Sequence, residues 1–371
     1  MLKFNPVFAA VIAVSLLRAV FCAADENDTA AAVQAAFGVI QKDSSGKIIG
    51  VDLAAERTSA DDSVFKKTLQ LPNLKSLRVA GGTITAETFV LLKTQTELTD
   101  LYLKDLTISD ADLTAALTPL KQLKRLTLRR LPNVTAVPKL PALRQLSLLE
   151  MSCTEKTQAS LLENKTLTAL DLRGCNGITA EQYLSLKTFD KLVDVKIGGF
   201  AVNDETLKII TPLPNLTGLT LDDTVITAEG LAAYIADSPS AKTLQTFVIN
   251  KGSLLDDDLL PVKSLQKLTR LTLSDMMITG SILLKLAEDE PQRPKLKILS
   301  LKKTLFTEDD AAGLKRYSEL QSLDLSYSNI TPPIASIIVT LPNLKTLTLT
   351  GCQLDGETLK ILKTNSRIAV K

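Results

Sequence analysis

The pattern Leu-x-x-Leu-x-Leu recurs along nearly the whole chain, and a repeat of this kind restricts the possible folds more than any other feature. Copies include Leu74-Leu77-Val79, Leu98-Leu101-Leu103, Leu123-Leu126-Leu128, Leu216-Leu219-Leu221 and Leu344-Leu347-Leu349, and Ile48-Val51-Leu53 reads as the first. Together they make thirteen units, mostly 24 or 25 residues apart, with extremes of 20 and 28. Side chains alternate along a strand, so the second and third apolar residues of each motif point to one face and the residues around them to the other.

Each unit has a second half. An apolar residue is followed by Thr, Ser, Asn or Asp, and often by an acidic residue two places on, as in Ile84-Thr85-Ala86-Glu87, Ile226-Thr227-Ala228-Glu229 and Leu354-Asp355-Gly356-Glu357. The polar residue can cap free N–H groups at a helix start, and the carboxylate suits the positive end of the helix dipole. Each unit therefore predicts strand, loop, capped helix and return. One such unit cannot bury its own apolar face, so stacked neighbours must share a core beneath a parallel sheet. Helices need more room than strands, which predicts a curved α/β solenoid with the sheet on the concave side and the helices on the convex side.

Across residues 48–365 the chain resembles the leucine-rich-repeat superfamily. Its stretch Leu170-Asp171-Leu172-Arg173-Gly174-Cys175-Asn176-Gly177-Ile178-Thr179 is similar to the ribonuclease-inhibitor-like, cysteine-containing subtype. Near-uniform units with repeated Ile-Thr-x-Glu behind an export signal resemble secreted repeat proteins of planctomycete-type bacteria. The resemblance implies a protein-interaction scaffold and carries over no catalytic residue.

The ends fit this plan. Lys3, the apolar run Val7 to Leu17 and the small residues of Cys22-Ala23-Ala24 predict a signal peptide over residues 1–24. Residues 25–47, Ala-rich from Thr29 to Ile40, predict an N-terminal helical cap; residues 366–371 predict a tail or edge strand. The unit from Leu123 to Leu143 is the shortest, and Pro138 and Pro141 forbid a full helix within it. The chain is therefore expected to act outside the cytoplasm, in a periplasm or extracellular space, with no integral membrane span.

The whole chain has 43 basic and 41 acidic residues; losing Lys3 and Arg18 with the signal peptide leaves the two signs equal. A balanced chain lacks the cation surplus of a general polyanion binder, which argues against nucleic acid and leaves another protein, or a glycan, as partner. Histidine is absent, which removes Ser-His-Asp and Cys-His chemistry and the commonest zinc ligand. No catalytic, cofactor or metal residues are assigned. Asp256-Asp257-Asp258 falls at a helix start, and Asp222-Asp223 invites a cation or acid–base reading against the simpler one of solvated surface. Cys153, Cys175 and Cys352 occupy core-like repeat positions; a Cys153–Cys175 bridge and plain thiols both remain open. Sequons begin at Asn27, Asn133, Asn164, Asn215 and Asn329.

Outward strand positions are where a partner would be read. Lys104, Arg125, Arg129 and Arg130 form a basic run, extended by Arg173. Asp171, Asp194, Asp222 and Asp223 form an acidic zone, and Tyr102 and Tyr327 are the strand-face tyrosines. The expected function is a non-catalytic protein-binding scaffold using this face. The competing functions are a structural component of an envelope or surface matrix and a carboxylate-based glycan-acting enzyme.

Overall fold

The computed structural model describes residues 26–58, 60–288 and 295–371; the expected signal peptide lies outside them. The chain divides into two compact units, Met1–Thr166 and Leu167–Lys371.

In the first unit, the helix Glu26–Ala35 leads into β1 (Val39–Lys42), β2 (Ile48–Leu53), β3 (Ser76–Ala80), β4 (Asp100–Lys104), β5 (Arg125–Arg129) and β6 (Gln145–Leu149). β1 and β2 pair antiparallel, and each following strand pairs in parallel with the one before it. In the second unit, β7 (Ala169–Asp171), β8 (Asp194–Gly198), β9 (Gly218–Asp222), β10 (Thr246–Asn250) and β11 (Arg270–Ser274) are followed by β12 (Ile298–Ser300), β13 (Ser322–Asp324), β14 (Thr346–Thr348) and β15 (Ala369–Val370). They lie in chain order, all parallel. The register matches motif to motif: Leu101 faces Leu126, and Leu219 faces Phe247. The motif leucines form the core; Leu77, Leu103, Leu128, Leu221, Leu273 and Leu325 are each fully buried.

The N-terminal segment differs from the all-helical cap its alanines suggest. The helix stops at Ala35, and residues 39–42 form a strand instead. Phe37 takes a left-handed conformation, Gly38 donates its N–H to Val33 O, and a β-carbon at Gly38 would lie 2.7 Å from Val33 Cγ1. Only glycine permits that close turn, so the helix ends there whatever the propensity of the residues beyond.

The returns between strands also depart from a uniform capped helix. Several finish in 3-10 geometry, at Leu91–Thr94, Leu184–Thr188 and Ala312–Arg316, and the return between β10 and β11 is 3-10 throughout its helix, Asp257–Ser264. A 3-10 turn rises about 2 Å per residue against 1.5 Å for an α-helix, so it covers the return with fewer residues. Between β5 and β6 there is no helix, as the prolines require. That segment leaves a void of about 10 Å³ beside Val137, Met151 and Cys153, room for one water rather than a ligand.

Buried polar side chains replace what the short returns cannot supply. Asn164, 1% exposed, accepts from Leu140 N at 2.9 Å and donates to Pro138 O and Ser160 O. In the second unit Ser240, fully buried, accepts from Leu216 N at 3.0 Å and donates to Leu213 O. Asn215, Asn343 and Asn365 each donate a side-chain amide to a carbonyl of the preceding repeat.

The expected caps are joined by an arrangement that crosses repeats. Asn203 accepts from Thr206 N and Asp355 from Thr358 N, as N-caps do. In several repeats the acid that follows the cap, just inside the helix, also accepts from the Thr of the next repeat. Asp62 takes Thr85 N and Oγ1, Asp110 takes Thr135 N and Oγ1, and Asp204 takes Thr227 N and Oγ1, all at 2.7–2.9 Å. Asp256 does the same for Thr279 N at 2.9 Å, while Asp257 pairs with Lys285 and Asp258 accepts from Leu255 N. The acidic triplet is thus engaged in local structure.

Candidate functional site: the strand face and the turn beyond it

Two residues past the last motif residue of each strand, the backbone takes a left-handed step. Twelve successive repeats do so, at Gly81, Asp105, Arg130, Glu150, Gly174, Gly199, Asp223, Lys251, Asp275, Lys303, Tyr327 and Gly351. The step lets the amide of that residue reach the neighbouring repeat, as in Asp105 N to Arg129 O at 3.1 Å and Asp223 N to Asn250 O at 2.8 Å. The ladder between repeats therefore extends one residue beyond the strand while the chain turns away. Eight of the twelve residues are not glycine, although the left-handed region costs such side chains about 1 kcal/mol. Their side chains project at the strand ends, and they hold the most informative charges of the molecule.

In the first unit the expected basic run is present but neutralised. Arg130 donates Nε and Nη2 to Asp105 at 2.7 and 2.8 Å, and Nη1 to Glu150 at 2.8 Å. Arg129 Nη2 donates to the other oxygen of Glu150, Lys104 lies 3.7 Å from Asp105, and Arg125 pairs with Asp100. The hydrogen bonds from Arg130 hold both the Asp105 and the Glu150 carboxyl below their ordinary values. Those two carboxylates in turn push the Arg130 guanidinium up. Tyr102 is half-buried, with the Arg78 guanidinium 4.0 Å above its ring, and Arg78 Nε donates to Asp52 at 3.0 Å. The sequence offered a cationic surface; the structure offers a row of closed ion pairs.

In the second unit the acidic zone is more open. Asp171 is 7% exposed because Arg173 folds back over it, donating Nε and Nη2 at 2.9 and 2.8 Å. That bond, followed by the more distant charges of Asp222 and Asp194, holds the Arg173 guanidinium above its ordinary value. Asp194 lies 3.5 Å from Lys196. Asp222 makes no ion pair among the described residues. Glycine gives the Asp194 carboxylate room to lie across the neighbouring strand: a β-carbon at Gly218 would sit 2.5 Å from Asp194 Oδ1. At Gly198 the close neighbour is the backbone, since a β-carbon there would sit 2.3 Å from the main-chain carbonyl oxygen of Asp222.

Several candidate residues are displaced from where the sequence put them. Arg130 and Asp223 lie one residue past β5 and β9, and Arg173 lies past β7. Tyr327 is not a strand-face residue: it occupies the left-handed turn after β13, 54% exposed, with Lys302 Nζ 5.6 Å from its ring centre. Asp100, Asp105 and Glu150, which complete the ion pairs, were missed; each lies 20 to 25 residues from its cation, a repeat away along the chain.

Among the described residues no group of three or more His, Cys, Asp or Glu is placed to hold a metal ion. No described helix is long and apolar enough to cross a membrane. Cys153 is buried, whereas Cys175 and Cys352 are only half-buried, and all three are thiols rather than disulfides. Cys352 Sγ donates to Leu325 O at 3.3 Å, and burial raises its thiol above the ordinary value.

Residues 163–181 match the family model described as Leucine Rich repeat. The chain is similar to the crystal structure of an internalin from Listeria monocytogenes, with 21% identity over 92% of this chain and 93% of that one and a TM-score of 0.48. It is also similar to an LRR protein of Leptospira interrogans, with 19% identity over 82% of this chain and 86% of that one and a TM-score of 0.41. No curated protein matches it. From its register-matched parallel strands, buried motif leucines and helical returns, the fold of this chain is that of an α/β leucine-rich-repeat solenoid.

Proposed function

We propose that this protein is a non-catalytic scaffold that works outside the cytoplasm and holds a protein partner on the exposed face of its strands. This is the face expected to be concave. The observation that carries the proposal is the acidic strip at β8 and β9. Among the described residues Asp222 has no ion-pair partner and Asp194 has only Lys196 at 3.5 Å, and Arg173 is fixed beside them by its two bonds to Asp171. Fixed dipoles and unspent charge on a rigid sheet suit a partner segment that brings Lys or Arg, because complementary charge sets orientation and encounter rate. The basic run of the first unit makes a poorer anchor, since its cations already have acids of their own. The absence of histidine supports a binding role over a catalytic one. The predicted signal peptide supports action outside the cytoplasm.

The test is crosslinking capture from the native host with three proteins. They are the wild type, Asp194→Asn/Asp222→Asn, and Arg125→Gln/Arg129→Gln. A partner held by the first and third but lost by the second supports the proposal. Loss with the third alone moves the site to the first unit. Equal capture by all three removes the strand face from the function and favours a structural role.

A further inference from the structure

The turns that follow the strands of the second unit carry a charge pattern with a symmetry of its own. From β9 to β12 the left-handed residues alternate: Asp223, Lys251, Asp275, Lys303. Only Asp275 and Lys303 close into an ion pair, at 2.7 Å. Asp223 and Lys251 make none among the described residues. The same loops expose apolar side chains. Val225, Met277 and Leu305, at one shared repeat position, are 44%, 67% and 47% exposed, and Leu255 adds another at 53%. In the first unit that shared position holds the exposed polar residues Thr83, Thr107, Asn133 and Ser152.

From these observations we propose that the rim of the second unit is a two-fold interface, and that its occupant is a second copy of this chain. An alternating row of four charges is its own complement when reversed. A two-fold axis between the repeats of β10 and β11 sets Lys251 against Asp275 of the other copy, and Asp223 against Lys303, each contact occurring twice. The same axis sets Val225 against Leu305 and the β10 loop, with Leu255, against Met277. One repeat further out it brings Phe200, 76% exposed, opposite Tyr327, 54% exposed. Beyond these lie glycines on both sides, Gly174 and Gly351. Unreversed stacking in the same register would instead set like charge on like. Charges, aliphatic residues and aromatic residues thus select one register, and Asp223 and Lys251 gain the partners they lack within their own chain. This surface lies at the strand ends rather than on the strand face, so it does not rest on the partner site proposed above.

The interface is at the small end of those that hold proteins together, so a dissociation constant on the order of 10 µM is expected. Sedimentation equilibrium of the purified chain between about 1 and 100 µM should show a closed dimer that weakens with salt. Lys251→Asp sets two pairs of like charge across the axis and should raise the dissociation constant roughly 100-fold. Lys251→Asp/Asp275→Lys restores opposite charge across the axis and should return it to within about tenfold of wild type. Circular dichroism verifies that each variant is folded. A wild type still monomeric near 100 µM overturns the proposal. So does a Lys251→Asp variant that dimerises like wild type, or a folded double exchange that stays as monomeric as the single variant.

Discussion

The two units take the same left-handed step after their strands and pair the charges at it to different extents. In the first, Asp105, Arg130 and Glu150 bind one another, so the residues at the strained position satisfy themselves. In the second, Asp275 and Lys303 pair but Asp223 and Lys251 make no ion pair among the described residues, and the neighbouring loops expose Val225, Met277 and Leu305. Keeping a long side chain at a position that favours glycine has a cost of about 1 kcal/mol, so something must offset it. Ion pairing within the chain offsets it in the first unit. In the second it offsets it for Asp275 and Lys303, but among the described residues no ion pair does so for Asp223 and Lys251, which is why that part of the rim reads as a surface awaiting contact.

The comparison can be broken most severely at the buried polar side chains. Asn164→Ala would strand Leu140 N–H and two carbonyls in the first unit and should cost about 2–3 kcal/mol in chemical denaturation. Ser240→Ala removes a two-bond equivalent from the second unit, and its cost should be nearer 1–2 kcal/mol. Equal losses would mean that the first unit is no more dependent on internal polar bonds than the second.

A sharper test exchanges the left-handed residues for glycine. Arg130→Gly relieves the backbone but leaves two carboxylates without their shared cation, and should destabilise by about 1 kcal/mol after solvent screening. Lys251→Gly relieves the same backbone and breaks no ion pair within the chain, so it should stabilise the monomer by about 0.5 kcal/mol. Matching signs in thermal melts would refute the contrast.

The next effect is a pH dependence. Asp105 and Glu150 have folded values held below their ordinary ones, chiefly by hydrogen bonds from Arg130. As pH falls, the unfolded chain takes up these protons first. The stabilisation is therefore complete above the ordinary carboxylate range, from about pH 5 upward, and is lost as pH drops through the lowered folded values. The advantage of wild type over Arg130→Gly in melting temperature should be widest near pH 6, shrink as pH falls through the lowered folded values, and then reverse, because the relief of the backbone in the variant does not depend on pH. A gap that stays constant would show that the carboxylates do not carry it.

The smallest effect should not distinguish the units at all. Asp110→Asn and Asp204→Asn each weaken one acid-to-Thr bond between repeats, and both should lower the melting temperature by about 1–2 °C.

The repeat plan was legible in the sequence because leucine spacing along one strand is local information. Leu101-x-Leu103 announces its own inward face without knowledge of any neighbour. The charges were not legible in the same way. Arg125, Arg129 and Arg130 look like a run when read down the chain, but a parallel sheet pairs across strands, and their acids arrive from Asp100, Asp105 and Glu150. Because repeat lengths vary, as in the 20-residue unit before Leu143, the offset joining Arg130 to Glu150 differs from the one joining it to Asp105. Tyr327 was misplaced for a related reason: where a strand gives way to the turn depends on the ladder between repeats. The strand at residues 39–42 was hidden behind an alanine-rich segment whose helix is ended by one close contact at Gly38.

The buried Asn164 has a consequence for how this protein can be made. Its side-chain nitrogen is the atom to which an oligosaccharide is joined at Asn-x-Thr in hosts that modify such sites, and Asn164-Lys165-Thr166 fits that signal. In the folded chain the same nitrogen donates inward to Pro138 O and Ser160 O, with no path for a sugar. Attachment during synthesis would therefore compete with closure of the helix-less repeat, and each modified chain would be denied the native state. Production in a glycosylating secretory pathway should yield two populations, an unmodified folded one at this site and a modified one retained or degraded. The choice of host thereby becomes a determinant of folding yield.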